Sequence, residues 1–361
     1  MVLSAEEVKA LISSPDKAAE KANLLYVSEE DLCIERRKKG KGWQYFKDGE
    51  PIRSEDKLEE IKKLVIPPAW ENVRICAVPH GHLQVVGRDA KGRKQYIYHP
   101  QWTQFRNRTK FYKMAAFGKV LPKIRQQVDQ DLDLRGMPQR KVLALVVRLM
   151  EETHIRIGND TYAKENKSYG LSTLRSRHVK VSRGKMRFNF VGKRGIEHSV
   201  SVQNRKLIRL VNKCEEIPGW ELFKYYDEQG NKKSIDSGMV NEYIQEVSGA
   251  LFSAKDFRTW SATKIFFETM REIGYTDKES ENKSNILKGY DAAARALGNT
   301  RSVCRSYYVH PHVVDLYRSG EIVEYFEKVR RKRTSKEHLS QTEEVLLDLL
   351  QDFEFELSST E

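Results

Sequence analysis

Two adjacent tyrosines, Tyr307 and Tyr308, stand near the end of the run L-G-N-T-R-S-V-C-R-S-Y-Y-V-H-P, residues 297–311. A Gly298-Asn299 turn precedes them, and Arg301 and Arg305 are spaced to share one face of a helix. A phenol titrates near about 10 and is a weak nucleophile while it keeps its proton. Guanidinium groups beside it would favour the phenolate and would also hold an anionic substrate. Three further cations stand out by their setting. Arg156 sits between Ile155 and Ile157, just past a strongly apolar helix, where a charge tends to be paired or functional. Lys193 lies in the hairpin link Gly192-Lys193-Arg194-Gly195; most lysines in such a place are merely solvated, but this one could project into a cleft. Arg258 belongs to K-D-F-R-T-W at the start of a helix.

Together these residue types suit attack by a tyrosine on a phosphodiester. Negative charge then gathers on the non-bridging oxygens. Two guanidiniums, Arg156 and Arg258, can clamp those oxygens, and the neutral amide of Asn299 can add a hydrogen bond. Lys193 can protonate the departing 5′ oxygen if cationic neighbours lower its pKa. Such a set needs neither metal nor nucleotide, and the sequence has no G-x-x-x-x-G-K-[ST] loop and no G-x-G-x-x-G opening a helix. The H-x-H pairs His80/His82 and His310/His312 lack further ligands at a recognisable spacing and are read as ordinary polar histidines. No cofactor and no metal are expected.

The chain as a whole favours a polyanionic partner. Its 361 residues hold 64 Lys+Arg against 51 Asp+Glu, a net charge of +13, which points to nucleic acid. An anionic membrane surface ranks second, since no strongly apolar basic helix supports it. Cys33, Cys76, Cys214 and Cys304 never form a C-x-x-C pair and give neither a disulfide framework nor a zinc site. No apolar run reaches the ~18 residues of a membrane span, and M-V-L-S-A-E-E-V has no signal-peptide pattern. The expectation is a soluble, cytoplasmic protein.

The elements that must position these residues fall into two kinds. Residues 1 to about 25 pattern as a short amphipathic helix. Short strand-like pieces follow at Leu24–Ser28, Trp43–Phe46, Val73–Val78, Leu83–Gly87 and Gln95–His99, with the basic run Arg36–Gly42 read as a loop. The turn G-R-D-A-K-G-R-K opens into Gln95-Tyr96-Ile97-Tyr98, where period-two alternation sets Gln95 and Ile97 on one face, Tyr96 and Tyr98 on the other. A basic turn feeding aromatics suits a groove reader, with Arg93 and Lys94 for phosphates and Gln95, Tyr96 and Tyr98 for base edges and sugars. From Phe111 the chain turns helical, with helices over Phe117–Asp131 and Lys141–Thr153 separated by Gly136-Met137-Pro138. Three short strands, Val179–Val181, Met186–Val191 and His198–Val200, interrupt it, and after Pro218 it is mainly helical. The expected fold class is α+β: a small β-rich domain over residues 1–105, then a larger mainly α-helical catalytic domain over 106–325 holding a short three-stranded sheet. Residues 326–361 read as a C-terminal extension, a basic cluster at Arg330–Arg333 followed by an acidic helix.

Five stretches, in order and through most of the chain, resemble the poxvirus and bacterial branch of the type IB DNA topoisomerases. G-R-D-A-K-G-R-K-Q-Y-I-Y is similar to that family's N-terminal DNA-contacting segment, which implies Gln95, Tyr96 and Tyr98 in the major groove. R-I-G-N-D-T-Y-A-K-E-N-K-S-Y-G-L-S-T-L resembles the stretch with the first catalytic arginine, Arg156, and a phosphate-contacting tyrosine, Tyr162. F-V-G-K resembles the hairpin of the catalytic lysine, Lys193, and K-D-F-R-T-W the helix of the second arginine, Arg258. G-N-T-R-S-V-C-R-S-Y-Y resembles the segment that ends in the nucleophile; ten residues on from Gly298 is Tyr308. The poxvirus-like pattern has a histidine where this chain has Asn299, so a slower or differently pH-dependent cleavage is expected.

The resemblance implies a tyrosine-recombinase-like catalytic fold and a two-lobed clamp around duplex DNA, held largely through phosphates and strongly salt-sensitive. It implies relaxation of positive and negative supercoils through a 3′-phosphotyrosyl bond at Tyr308, strand swivelling and religation, without ATP or metal. The expected partner is double-stranded DNA, in a nucleoid-associated monomer. A tyrosine recombinase or integrase shares the Arg, Lys, Arg, Tyr logic and is the alternative enzyme. A basic DNA-binding protein without chemistry is the third reading.

Overall fold

The computed structural model describes residues 14–40, 42–90, 92–249, 252–351 and 353. Contacts divide the chain into a first unit ending at Lys113 and a second starting at Met114. In the first unit α1 (Pro15–Lys21) is followed by β1 (Ile34–Lys39), β2 (Gly42–Lys47), β3 (Glu50–Pro51), α2 (Glu55–Lys63), β4 (Glu71–Ile75), β5 (Leu83–Arg88) and β6 (Lys94–Tyr98). The strands make one antiparallel sheet in the order β3-β2-β1-β4-β5-β6. Successive side chains on a strand point to opposite faces, and both faces of the sheet's centre are covered. Val85 joins Ile34, Ile61, Val73 and Ile75 in one cluster, whereas Val86 joins Val27, Leu32, Cys76 and Leu83 in another. The register shift between Leu83 and Val85 explains why these two same-parity residues part company.

The second unit is mainly helical. The long α3 (Pro100–Leu132) leads into it, followed by α4 (Gln139–Thr153) and α5 (Asp160–Asn166). Next come β7 (Val179–Ser182), β8 (Lys185–Val191) and β9 (Glu197–Val202), which form a three-stranded antiparallel sheet in that order. Then follow α6 (Arg205–Glu216), β10 (Lys224–Tyr226), β11 (Lys232–Ser234), α7 (Ser237–Ser248), α8 (Ala254–Ile273) and α9 (Glu279–Leu297). The last described elements are α10 (Arg301–Tyr307), α11 (Pro311–Ser319), α12 (Ile322–Arg331) and α13 (Gln341–Gln351). At the middle lies α4, whose Val142, Ala144, Leu145, Val146, Val147 and Leu149 are fully buried. Burying one large aliphatic side chain contributes about 1.5–3 kcal/mol, so this helix anchors the core. Val345, Leu346, Leu349 and Leu350 of α13 belong to the same core. Glu343 at the start of α13 accepts two hydrogen bonds from Arg125 of α3, each 2.8 Å, and Arg125 also reaches Glu151 of α4 at 2.6 Å.

The α+β class thus holds, with a β-rich first unit and a helical second unit carrying a small sheet. Two local expectations need correction and two gain detail. The basic run Arg36–Gly42 is a strand and its turn, because Arg36 is buried, donates to the carbonyls of Pro67 and Trp70 (3.2 and 2.6 Å), and stacks on Trp43. Leu24–Ser28 is no strand; Leu25 makes a single bridge to Gly81. A hairpin, β10–β11, interrupts the stretch after Pro218. Of the N-terminal amphipathic segment, Pro15–Lys21 is helical, and residues 1–13 lie outside the described residues. Among the described residues no helix is long and apolar enough to cross a membrane.

Candidate active site

Tyr308 is held where α10 stops. The turn before α10 is a tight helix end: Gly298 takes φ +59°, a left-handed conformation that glycine adopts without strain, and the Asn299 amide donates back to Ala294 O at 2.9 Å. Thr300 then caps α10 by accepting from the Val303 amide at 3.3 Å. Past the last turn the amides of Tyr308 and Val309 both donate to Cys304 O at 3.0 Å. Thr263, fully buried on α8, fixes the exit: its hydroxyl lies 3.1 Å from Tyr308 O and accepts from the His310 amide at 3.0 Å.

Arg258 comes from the first turns of α8, a helix started by a capping box between Ser253 and Asp256. It is 5% exposed, and its guanidinium donates to Leu297 O at 2.9 Å and to His154 O. The same guanidinium carbon stands 5.5 Å from the centre of the Tyr308 ring. Arg156 lies on the extended segment that follows α4. There Leu171 N donates to Arg156 O at 2.8 Å and Ser172 N to Ile157 O at 2.6 Å. Its guanidinium donates to Asn299 Oδ1. Among the described residues Asn299 Nδ2 is buried without a hydrogen-bond partner, and the Cys304 thiol stands near it. Lys193 projects from the short turn that joins β8 to β9 and makes no ion pair among the described residues.

Electrostatics separate this cluster from an ordinary surface patch. Among the described residues neither Arg156 nor Arg258 has a carboxylate partner; Arg156 donates to Asn299, and Arg258 to the two carbonyls just named and to the Tyr308 side chain. Burial first, then the charge of Arg258, pushes the Arg156 guanidinium below its usual pKa, although it stays protonated at any physiological pH. Lys193 is shifted down by desolvation and by Arg156, Arg194 and Lys255, and upward only by the Tyr308 phenol. Tyr308 itself is pushed up by burial, but Arg258, Arg156 and Lys255 outweigh that and its net shift is downward. A group of like charges with no counter-ion is costly unless an anion arrives.

The guanidiniums beside Tyr308 are not those that the local spacing suggested. Arg301 and Arg305 are on α10, but Arg301 is bound to Asp291 by two hydrogen bonds of 2.6 Å and is exposed. Tyr307 is 47% exposed. Arg156, Lys193, Arg258, Asn299 and Tyr308 do come together. Tyr162 stands on α5, 49% exposed, and Asn159 caps that helix at the Tyr162 amide. Thr263 and His198 escaped the sequence reading, because a Thr inside an apolar helix and a His in an alternating strand carry no local signal.

The remaining candidates belong to the first unit. Tyr96 and Tyr98 share the exposed face of β6, with rings 5.9 Å apart, and Gln95 and Ile97 share the half-buried face. Arg93, Lys94, Gln95 and Tyr96 of this motif are each held by an acid. Asp89 accepts from Arg93 Nε at 2.8 Å and from Gln95 Nε2 at 2.9 Å, and Glu29 pairs with Lys94 and lies 3.3 Å from the Tyr96 hydroxyl. His82 and His310 are buried structural histidines: His82 Nδ1 accepts from Val27 N at 3.0 Å and His310 Nδ1 from His312 N at 3.2 Å. The carboxylates of Asp129, Asp131 and Asp133 are paired with Arg148, Arg140 and Lys206.

The helical unit thus gathers two arginines, a lysine and an amide around a half-buried tyrosine, a cationic site suited to an anionic substrate. Comparison with known proteins narrows the class. Residues 99–336 match the eukaryotic DNA topoisomerase I catalytic core, and residues 42–89 match the bacterial DNA topoisomerase IB N-terminal domain. A DNA topoisomerase 1B of Acanthamoeba polyphaga mimivirus is 34% identical over 287 residues, covering 77% of this chain and 84% of the relative. A DNA topoisomerase 1 of rabbit fibroma virus is 26% identical over 303 residues, 75% of this chain and 88% of that one. A DNA topoisomerase 1B of vaccinia virus (strain Copenhagen) is 24% identical over 245 residues, 67% and 75% respectively. The chain belongs to the type IB DNA topoisomerases, a family of isomerases that act on DNA.

Proposed function

We propose that this chain relaxes both positively and negatively supercoiled DNA by nicking one strand, letting it swivel and resealing it. Tyr308 first loses its proton to solvent, its phenolate oxygen attacks the scissile phosphorus, the bond to the 5′ oxygen breaks, and the 3′ phosphate stays on Tyr308. Arg156 and Arg258 hold the non-bridging oxygens, and Asn299 Nδ2 adds a neutral hydrogen bond. Lys193 gives its proton to the departing 5′ oxygen, a role favoured by its lowered pKa. Religation is the same path reversed. The phosphotyrosyl bond keeps the energy of the phosphodiester, so neither ATP nor a metal ion is required, and one copy of the chain suffices. Gln95, Tyr96, Tyr98, Arg93 and Lys94 of the first unit and Tyr162 of the second contact the duplex.

One observation carries this reading: cations with no carboxylate partner among the described residues gather around a half-buried tyrosine whose pKa they lower. A scissile phosphate supplies the missing charge. The test is relaxation of plasmids of both supercoil signs in EDTA without ATP, comparing the wild-type chain with Tyr308→Phe. The wild type relaxes both and the variant neither. An active Tyr308→Phe would move the nucleophile elsewhere. A wild type that binds DNA without relaxing it would favour strand exchange or simple binding.

A further inference from the structure

His198 takes no part in the chemistry just described, yet it touches the backbone beside two of the residues that do. It lies in β9 directly opposite Phe190 of β8, and the two rings stack at 4.9 Å and 10°. Its edge meets two glycines. A Cβ on Gly192, the residue before Lys193, would come within 2.7 Å of His198 Cδ2 and Nε2. A Cβ on Gly298, the residue before Asn299, would overlap His198 Cε1. At both places the imidazole fills the space a side chain would need. The ring is thus a spacer between the backbone that carries Lys193 and the backbone that carries Asn299.

We propose that His198 is a positioning residue of the cleavage centre: wedged between Gly192 and Gly298, it sets the Lys193 turn against the Asn299 turn. The proposal rests on the reading of Lys193 as the acid towards the 5′ oxygen. Burial, then Arg156 and Arg258, hold the imidazole below its ordinary pKa, so the ring adds no cation and its part is geometric. Displacements of about 1 Å at a reacting centre can cost about 100-fold in rate. Losing the spacer therefore slows cleavage without removing any reacting group.

The experiment compares single-turnover cleavage of a suicide duplex bearing an ordinary 5′ bridging oxygen with one bearing sulfur there. In both, the tyrosyl oxygen–phosphorus bond forms and the phosphorus–5′ bond breaks. The oxygen needs a proton as it leaves, whereas sulfur departs as a thiolate without one. His198→Ala is expected to slow cleavage of the oxygen substrate by about 10–100-fold and to recover most of that with sulfur. Lys193→Ala is the reference and should show the larger loss and the same recovery. If Lys193→Ala recovers and His198→Ala does not, His198 does not act through the lysine and the proposal falls.

A double-mutant cycle tests the contact itself. Gly192 has φ −98°, which alanine tolerates, so Gly192→Ala acts mainly by pushing the imidazole. It should slow cleavage clearly when His198 is present and hardly at all in the His198→Ala background. Losses that simply multiply would overturn the proposal, whether or not His198→Ala is well folded. If sulfur fails to restore Lys193→Ala, the acid assignment is what fails, and the cycle still decides whether His198 positions the two turns.

Discussion

Tyr307 and Tyr308 are neighbours of one residue type, and their surroundings decide which can attack. Tyr308 faces Arg258 at 5.5 Å from its ring centre and is shifted toward phenolate, whereas Tyr307 is 47% exposed. Tyr307→Phe should therefore keep most of the cleavage rate in a covalent-trapping assay, and Tyr308→Phe should yield no adduct. Among the described residues the buried Asn299 amide nitrogen finds no hydrogen-bond partner beyond the nearby Cys304 thiol, so it can donate to an incoming oxygen. Its replacement by alanine should slow cleavage about 10–100-fold in the same assay, the value of one hydrogen bond to a charged oxygen, about 1.5–3 kcal/mol. The pH profile follows from the same groups. Cleavage should rise as Tyr308 ionises, below the usual 10.0 of a phenol, and fall as Lys193 loses its proton, below the usual 10.5. With a sulfur leaving group the alkaline limb should vanish, since no proton is then required.

Among the elements, α8 carries Arg258 and Thr263, and α13 braces α8 through Glu343, which accepts from Trp260. Thr263 of α8 ties both ends of the Tyr308–His310 turn, so Thr263→Val should lower cleavage and cost about 1–2 kcal/mol in thermal unfolding. Glu343 of α13 is pushed up by burial, but the Arg125 ion pair, Lys264 and the Ser340 amide bring it down to about 2 from 4.5. A folded-state pKa below the unfolded one contributes stability that is present above about 4.5 and is lost as pH falls towards 2. The contribution is on the order of 3 kcal/mol. Unfolding temperatures measured between pH 6 and about pH 3 should drop in the wild type, and much less in Glu343→Gln, which starts lower.

These elements were legible in unequal measure. Helix α4 and the start of α8 could be read because an apolar run and a Ser253/Asp256 cap are local signals. The β7–β9 strands were legible from their alternation. Arg36 was not, since a buried arginine in a basic run looks like a solvated loop until its carbonyl partners, 30 or more residues away, are known. The five site residues were named from motifs, but the contact between Arg156 and Asn299 spans 143 positions, and His198 against Gly298 spans 100, the difference of their numbers. No local pattern encodes such pairs. The idea that Arg301 serves Tyr308 failed because Arg301 folds back onto Asp291 of the preceding helix.

For the molecule as a whole, the net charge of +13 sets how it meets DNA. Binding carried by phosphate contacts releases counter-ions, and a protein making about 6–10 such contacts loses about 10³–10⁵ in affinity between 50 and 200 mM salt. Affinity measured by titration should fall steeply over that range, while the cleavage rate constant at saturating protein should change little. In the first unit, Asp89 holds Arg93 and Gln95, and Glu29 holds Lys94. Asp89→Asn should therefore tighten DNA binding and reduce its dependence on sequence, read by competition between duplexes.

The nucleophile itself can be identified directly. A suicide duplex labelled at the 5′ end of the scissile strand is cleaved by the wild-type chain, and the adduct is digested with trypsin and sequenced by tandem mass spectrometry. Cleavage after Arg305 and Arg318 yields one peptide, residues 306–318, that holds both Tyr307 and Tyr308. The account predicts the labelled nucleotide, joined through its 3′ phosphate, on Tyr308. A nucleotide on Tyr307, a 5′ linkage, or no adduct from an active preparation would contradict it.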